Sequence, residues 1–307
     1  MKTLRDIRLS VLDLSPIIEG GTVAESFRNS VDLARHVEAL GYTRFWLAEH
    51  HNIPGIASAA TSVLIGHVAA ATKRIRVGSG GIMLPNHPPL IIAEQFGTLE
   101  ALYPGRIDLG LGRAPGTDQT TSRALRRDPN AADDFPDQVQ ELIVFLGRPN
   151  PAQRVKAIPG ANSNVPVWLL GSSTFSARLA AFMGLPFAFA AHFAPRLLFE
   201  ALEIYRTNFQ PTERMPEPYA MVGVPVIAAE TDEEARFLST SVQQQILNLI
   251  RHAPTPVPPP IPTMDGRWSA AEKAAVHDFL GAAIIGGPET VREKLEKLVE
   301  ATQAHEL

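Results

Sequence analysis

Seven short apolar runs, each followed by a stretch of helical periodicity, constrain this chain more than any other feature of its sequence. The runs are Ile7–Leu14, Phe45–His51, Val77–Pro89, Arg106–Ala114, Val165–Ser173, Pro186–Phe193 and Tyr219–Ala229. Between the first two, Phe27, Val31, Ala34 and Val37 recur at helical spacing from Val23 to about Leu40, and Gly41 ends the pattern. Further helices are read at about Ser58–Thr72, Leu90–Leu102, Phe135–Leu146, Pro195–Asn208, Thr231–Ile250 and Pro288–Thr302. Largely apolar strands without hairpin turns predict a parallel sheet covered by helices, an α/β fold. Six or seven such units, with no glycine fingerprint opening the first helix and no break half-way, predict a (β/α)8 TIM-type barrel rather than a doubly wound sheet.

Two stretches depart from a regular barrel. Ala253–Thr263 (APTPVPPPIPT) holds six prolines and can be neither helix nor interior strand. It reads as an extended insertion, at about 252–268, in a single domain covering 1–307; a lid, a packing arm and a plain surface crossing all suit it. After Pro288–Thr302 only Gln303–Leu307 remain, so the last strand and helix of the barrel are expected to be absent. Pro115–Asp134 reads as a long polar loop.

The net charge of -4 comes without a Lys/Arg block, which argues against nucleic acid or anionic membrane as partner. No cysteine is present, and that excludes disulfides, thiolate metal sites and a cysteine nucleophile together. No apolar run approaches the roughly 18–20 residues of a membrane span, and no signal peptide is read, so a cytoplasmic protein is expected.

The candidate chemistry falls at strand C-terminal ends, where a barrel needs it. Gly80-Gly81 breaks the third run (VGSGGIMLPNHPP), either as a bulge or because something flat must lie against backbone. Glu49-His50-His51 ends the second strand; regular strand geometry puts Glu49 and His51 on one face and His50 on the other. A metal is disfavoured there, because the first strand offers Ser10, Asp13 and Ser15 rather than further imidazoles. General acid–base work suits one of these histidines, and a purely structural pair is the alternative. Arg113 follows Gly110-x-Gly112, a plausible phosphate clamp, and Ser172, Ser173 and Ser176 sit where the fifth strand turns into a helix, either as an anion site or as ordinary helix caps.

Taken together, FWLAEHH, IRVGSGGIMLPNHPP, PGRIDLGLGRAPG and VPVWLLGSSTFSARLAAFMGLPFAF resemble the luciferase-like flavin monooxygenases, the superfamily of bacterial luciferase. The resemblance runs from about residue 7 to 307. It implies a TIM-type barrel binding FMN near the third strand, with a non-prolyl cis peptide at Gly80-Gly81. It also implies Arg113, Ser172, Ser173 and Ser176 on the cofactor phosphate, and His50 near the flavin with Glu49 and His51 beside it. The implied reaction is oxygenation of a small organic substrate by O2 through a C4a-peroxyflavin, with FMN reduced by a separate NAD(P)H:flavin reductase. Gly112 stands where the luminescent enzymes have a reactive cysteine, so light emission is not expected. The deazaflavin F420, serving a dehydrogenase or reductase, and a non-catalytic flavin-binding role are the alternatives. A homodimer is implied as well, with Ser58–Thr72 and Leu90–Leu102 as candidate interface helices; by their sequence they could equally be helices that cover the barrel.

Overall fold

The computed structural model describes residues 2–128 and 132–307, so residues 129–131 of the expected Pro115–Asp134 loop lie outside the described residues. Seven strands form one sheet whose order follows the chain, β1 to β7. The chain divides into two compact units.

The first unit comprises residues 9–15 and 23–170. It contains β1 (Ser10–Asp13), α1 (Val23–Ala39), β2 (Arg44–Leu47), α2 (Thr61–Ala71), β3 (Arg76–Met83), α3 (Pro89–Leu102), β4 (Ile107–Gly112), α4 (Gln119–Ala124), α5 (Phe135–Leu146) and β5 (Val167–Gly171), whose last residue opens the second unit. Each strand from β1 to β5 pairs in parallel with the next. Helix α1 buries Ser26, Ser30, Ala34 and Val37, a stripe of three- and four-residue steps that lays one face on the sheet.

Low in these strands a charged group is buried. Asp108 on β4 is fully buried and accepts from Arg44 Nη1 at 2.7 Å, Arg76 Nη2 at 2.6 Å and Trp46 Nε1 at 3.2 Å. The Arg44 guanidinium also lies 4.7 Å from the Trp168 ring centre, and Trp168 meets Trp46 edge to face.

The second unit comprises residues 2–8, 16–22 and 171–307. Its elements are α6 (Thr174–Met183), β6 (Phe187–Ala190), α7 (Leu198–Thr207), β7 (Ala220–Gly223), β8 (Val226–Ala228), α8 (Asp232–Ile250), α9 (Ala270–Phe279), β9 (Ile284–Gly286) and α10 (Pro288–Thr302). The run Tyr219–Ala229, expected as one strand, is two. β7 pairs with β6, while β8 pairs with β9 in a separate two-stranded sheet, and Pro225, which has no N–H to give a ladder, stands at the break.

The C-terminal residues take the eighth strand's place in rudimentary form. Glu306 bridges in parallel to Arg8 on one side and Met221 on the other. Arg8 N donates to His305 O, Leu307 N to Arg8 O, His305 N to Ala220 O and Val222 N to Glu306 O. Three residues thus do what a strand would do.

The proline-rich segment is tied along its length. Gln244 on α8 donates to the Pro259 carbonyl and Thr240 to that of Ile261, and Val257 exchanges backbone bonds with Ile17 and Glu19 at 2.8 Å each. Beneath it Ile246, Leu247, Met264 and Val276 form a small core with Trp268 and Phe279 packed on it. A packing arm, rather than an unattached flap, describes the segment. Among the described residues no helix is long and apolar enough to cross a membrane.

Candidate active site

The glycine pair sits in a bulge. Ser79 pairs with Leu109 and Ile82 with Leu111, so Gly80 and Gly81 together face Gly110 alone. The Ser79 hydroxyl fills the gap in the ladder, donating to Gly110 O at 2.8 Å and accepting from Gly110 N at 3.0 Å. The Gly80-Gly81 bond is cis. A Cβ on Gly81 would stand 2.7 Å from Gly110 O, and one on Gly80 would stand 2.7 Å from Leu12 Cδ1 and 3.1 Å from Trp46 Cε3. Close approach of the Gly110 backbone therefore demands glycine at 81, while at 80 a Cβ would have to displace the end of Leu12 and press on Trp46. Open space beside them is marked by a different residue: Leu12, in the middle of β1 and next to Gly80, is 39% exposed. An apolar side chain open to solvent at a glycine-lined strand fits a flat apolar ring.

Glu49, His50 and His51 follow β2, where regular pairing has ended. Glu49 and His51 are joined, His51 Nε2 lying 2.8 Å from Glu49 Oε1, while His50 is bound elsewhere, its Nδ1 3.3 Å from Gly116 O. Glu49 is 1% exposed and also accepts from His87 Nε2 at 2.8 Å and Met83 N at 2.9 Å. Burial pushes its carboxyl up, but the bonds from His51, His87 and Met83 outweigh burial and leave it at about 2. The group is an ionised anchor at any physiological pH. For His50, burial dominates and lowers the imidazole below its usual value, against the opposing pull of the Gly116 carbonyl and Glu49. A neutral ring at neutral pH is able to accept a proton.

His87 and Asn86, on the short 3-10 turn Leu84–Asn86 and just after it, were not singled out as site residues from the sequence. Asn86 donates to Pro115 O at 3.0 Å, and Arg127 donates to Asn86 Oδ1 at 3.1 Å and to Arg113 O at 3.0 Å. Thr117 Oγ1 donates to His51 O, and His51 N to Gly116 O. Far from an unstructured loop, the segment after β4 is stitched onto the histidine cluster, and it contains α4, capped by Asp118. The only sequence signal for His87 was its place between the Leu-Pro and Pro-Pro pairs of the third run. Arg113 is half-buried at the start of this segment.

In the second unit Ser172 and Ser173 are half-buried at the N-terminus of α6, and Ser176 is buried in its first turn. Ser173 is the N-cap by backbone conformation, yet its side chain makes no cap hydrogen bond. Ordinary capping is thus not what its hydroxyl does, and a helix N-terminus with an uncommitted cap fits an anion. A Cβ on Gly171 would lie 2.3 Å from Ser176 Oγ, so glycine there lets this serine tuck beneath the turn.

The sequence matches the family described as luciferase-like monooxygenase over residues 7–305. It is 53% identical over 306 residues to a luciferase-like monooxygenase of Escherichia coli K12, covering 99% of this chain and 91% of that protein. The crystal structure of apo-MsnO8 superposes with a TM-score of 0.90 at 36% identity, covering 98% of this chain and 91% of that one. At 19% identity, the oxygenating constituent of 3,6-diketocamphane monooxygenase from Pseudomonas putida, solved in complex with FMN, shares the fold with a TM-score of 0.73, covering 98% of this chain and 91% of that one. The fold is TIM-like α/β, and the chain belongs to the luciferase-like monooxygenase family.

Proposed function

We propose that this protein is a reduced-FMN-dependent monooxygenase acting on a small organic substrate with O2, supplied with reduced flavin by a separate reductase. The observation that carries this reading is the exposed Leu12 beside the glycine-lined turn of β3, within the first unit, where an apolar ring would find room. When bound, reduced FMN supplies the electrons that activate O2. Leu12 and Gly80 would give the ring an apolar wall and exclude water from one of its faces. Within the first unit, Arg113 would meet the phosphate as a bidentate donor. His50 keeps its hydrogen on Nδ1, toward Gly116, and moves a proton at Nε2.

Anaerobic titration tests the reading. Reduced FMN should bind, and Arg113→Ala should weaken it about 10- to 100-fold, the loss expected for a charge-assisted bidentate contact. Failure of the unaltered protein to bind reduced FMN, or a rise in melting temperature with deazaflavin F420 and none with FMN, would overturn the assignment.

The same reading includes a homodimer through α2 and α3. Val63 at 69% on α2 and Ile91 at 42% and Leu102 at 63% on α3 are large apolar side chains exposed in the single chain. A Val63→Lys, Leu102→Lys double variant should elute as a monomer where the unaltered protein elutes as a dimer. A monomeric unaltered protein would end this part of the proposal.

A further inference from the structure

Glu49 accepts more hydrogen bonds than a group that takes and gives protons could keep. His51 Nε2 and His87 Nε2 both lie 2.8 Å from the same oxygen, Oε1, with Asn86 Nδ2 at 3.4 Å, while Oε2 takes the Met83 amide at 2.9 Å. An ionised carboxylate can only accept, so both imidazoles must donate, and each carries its hydrogen on Nε2. That leaves Nδ1 of each ring as the nitrogen that exchanges a proton. Both rings reach solvent, the His51 side chain being 16% exposed and that of His87 29%. His50 has the opposite arrangement, with Nδ1 committed to Gly116 O. The carboxylate also fixes backbone: through Met83 and His87 it holds the chain after β3 against the end of β2.

We propose that Glu49 is a positioning residue that locks His51 and His87 as Nε2–H tautomers, and that His87 is a further catalytic histidine, presenting Nδ1 to the substrate. What the rings act on rests on the monooxygenase reading; the tautomer assignment does not. Replacement by glutamine cannot preserve the arrangement in either orientation. With its oxygen toward the histidines, the glutamine amide meets the Met83 N–H donor to donor. Turned round, it forces both Nε2 atoms to become acceptors and the rings to change tautomer.

Long-range 1H–15N spectra of the FMN-free protein at pH 8 read this directly. His51 and His87 are expected as single Nε2–H tautomers and His50 as Nδ1–H. In Glu49→Gln, either the Met83 amide proton moves upfield or the two rings leave the Nε2–H form. Mixed tautomers in the unaltered protein, or no change at Met83, His51 and His87 in the variant, would overturn the positioning role. His87→Gln separates positioning from catalysis, because glutamine restores a donor near the Nε2 position but cannot titrate. The probe is the rate at which O2 reoxidises saturating enzyme-bound reduced FMN, expected to fall about 100-fold in His87→Gln, the scale of a lost acid–base group. A rate matching the unaltered protein's would overturn the catalytic role of His87. If the unaltered protein binds no reduced FMN, the oxygenation reading falls together with that role, and the spectra alone decide the positioning role.

Discussion

Replacing Asp108 with alanine should cost about 3–5 kcal/mol of stability, the range seen when one partner of a buried ion pair is removed. Asp108 is the shared acceptor of two guanidiniums and an indole N–H, from Arg44, Arg76 and Trp46, which lie on two neighbouring strands of the same unit. Arg44 is itself only 7% exposed, so its charge cannot turn to water when the carboxylate goes. The Trp168 face 4.7 Å away stabilises a cation but does not replace a hydrogen-bond acceptor. Asp108→Asn keeps one acceptor and removes the charge, so it should lie between alanine and the unaltered protein. For a chain of this size the alanine variant's melting temperature should fall by on the order of 10 °C. An alanine variant that melts within about 2 °C of the unaltered protein would show that the network contributes little.

This group was invisible in the sequence, where Asp108 is one polar residue in the apolar run RIDLGLGRA. Burying it next to Arg44 and Arg76 depends on the β2–β3–β4 register, which no local pattern reveals. The strands themselves were legible, because apolar runs of that length between helical patterns have few other uses. The exception, Tyr219–Ala229, contains Pro225, a residue that marks a strand's end whatever its apolar neighbours imply. Helix α4 was read as loop since Gln119–Ala124 buries none of its residues and so shows no apolar stripe. At the site, Glu49, His50 and His51 were found because they are adjacent in sequence. His87 bonds Glu49 across 38 positions and was noticed only as a histidine among prolines. Gly80-Gly81 stands out in the sequence, but the cause at Gly81 lies in the fold, where the Gly110 carbonyl leaves no room for a Cβ.

Acidification should release the C-terminal residues before the rest of the second unit. His305 accepts the Ala220 amide at Nδ1, 3.1 Å away, and stacks on Tyr219 with ring centres 4.9 Å apart. Burial, then the positive charges of Lys2 and Arg206, lower its imidazole to about 4. A histidine lowered in the folded state is held there in its neutral form. Its contribution is therefore complete above about pH 6.5, the ordinary value, and is lost as pH falls toward 4, because the released ring takes up a proton that the seated ring refuses. Two pH units below the ordinary value would favour the released form by at most about a hundredfold. The ring is half-buried, and screening by solvent brings the expected change to on the order of tenfold. Hydrogen exchange at Val222 and Leu307, whose amides bond to Glu306 and Arg8, should accelerate between pH 6.5 and 4.5 beyond the intrinsic pH dependence, while amides of β6 should not. His305→Asn keeps an acceptor near the Nδ1 position and cannot titrate. Its closure should be weaker at pH 7, for want of the stack on Tyr219, yet insensitive to acid over this window. If the variant shows the same acid-dependent release as the unaltered protein, the opening belongs to another group.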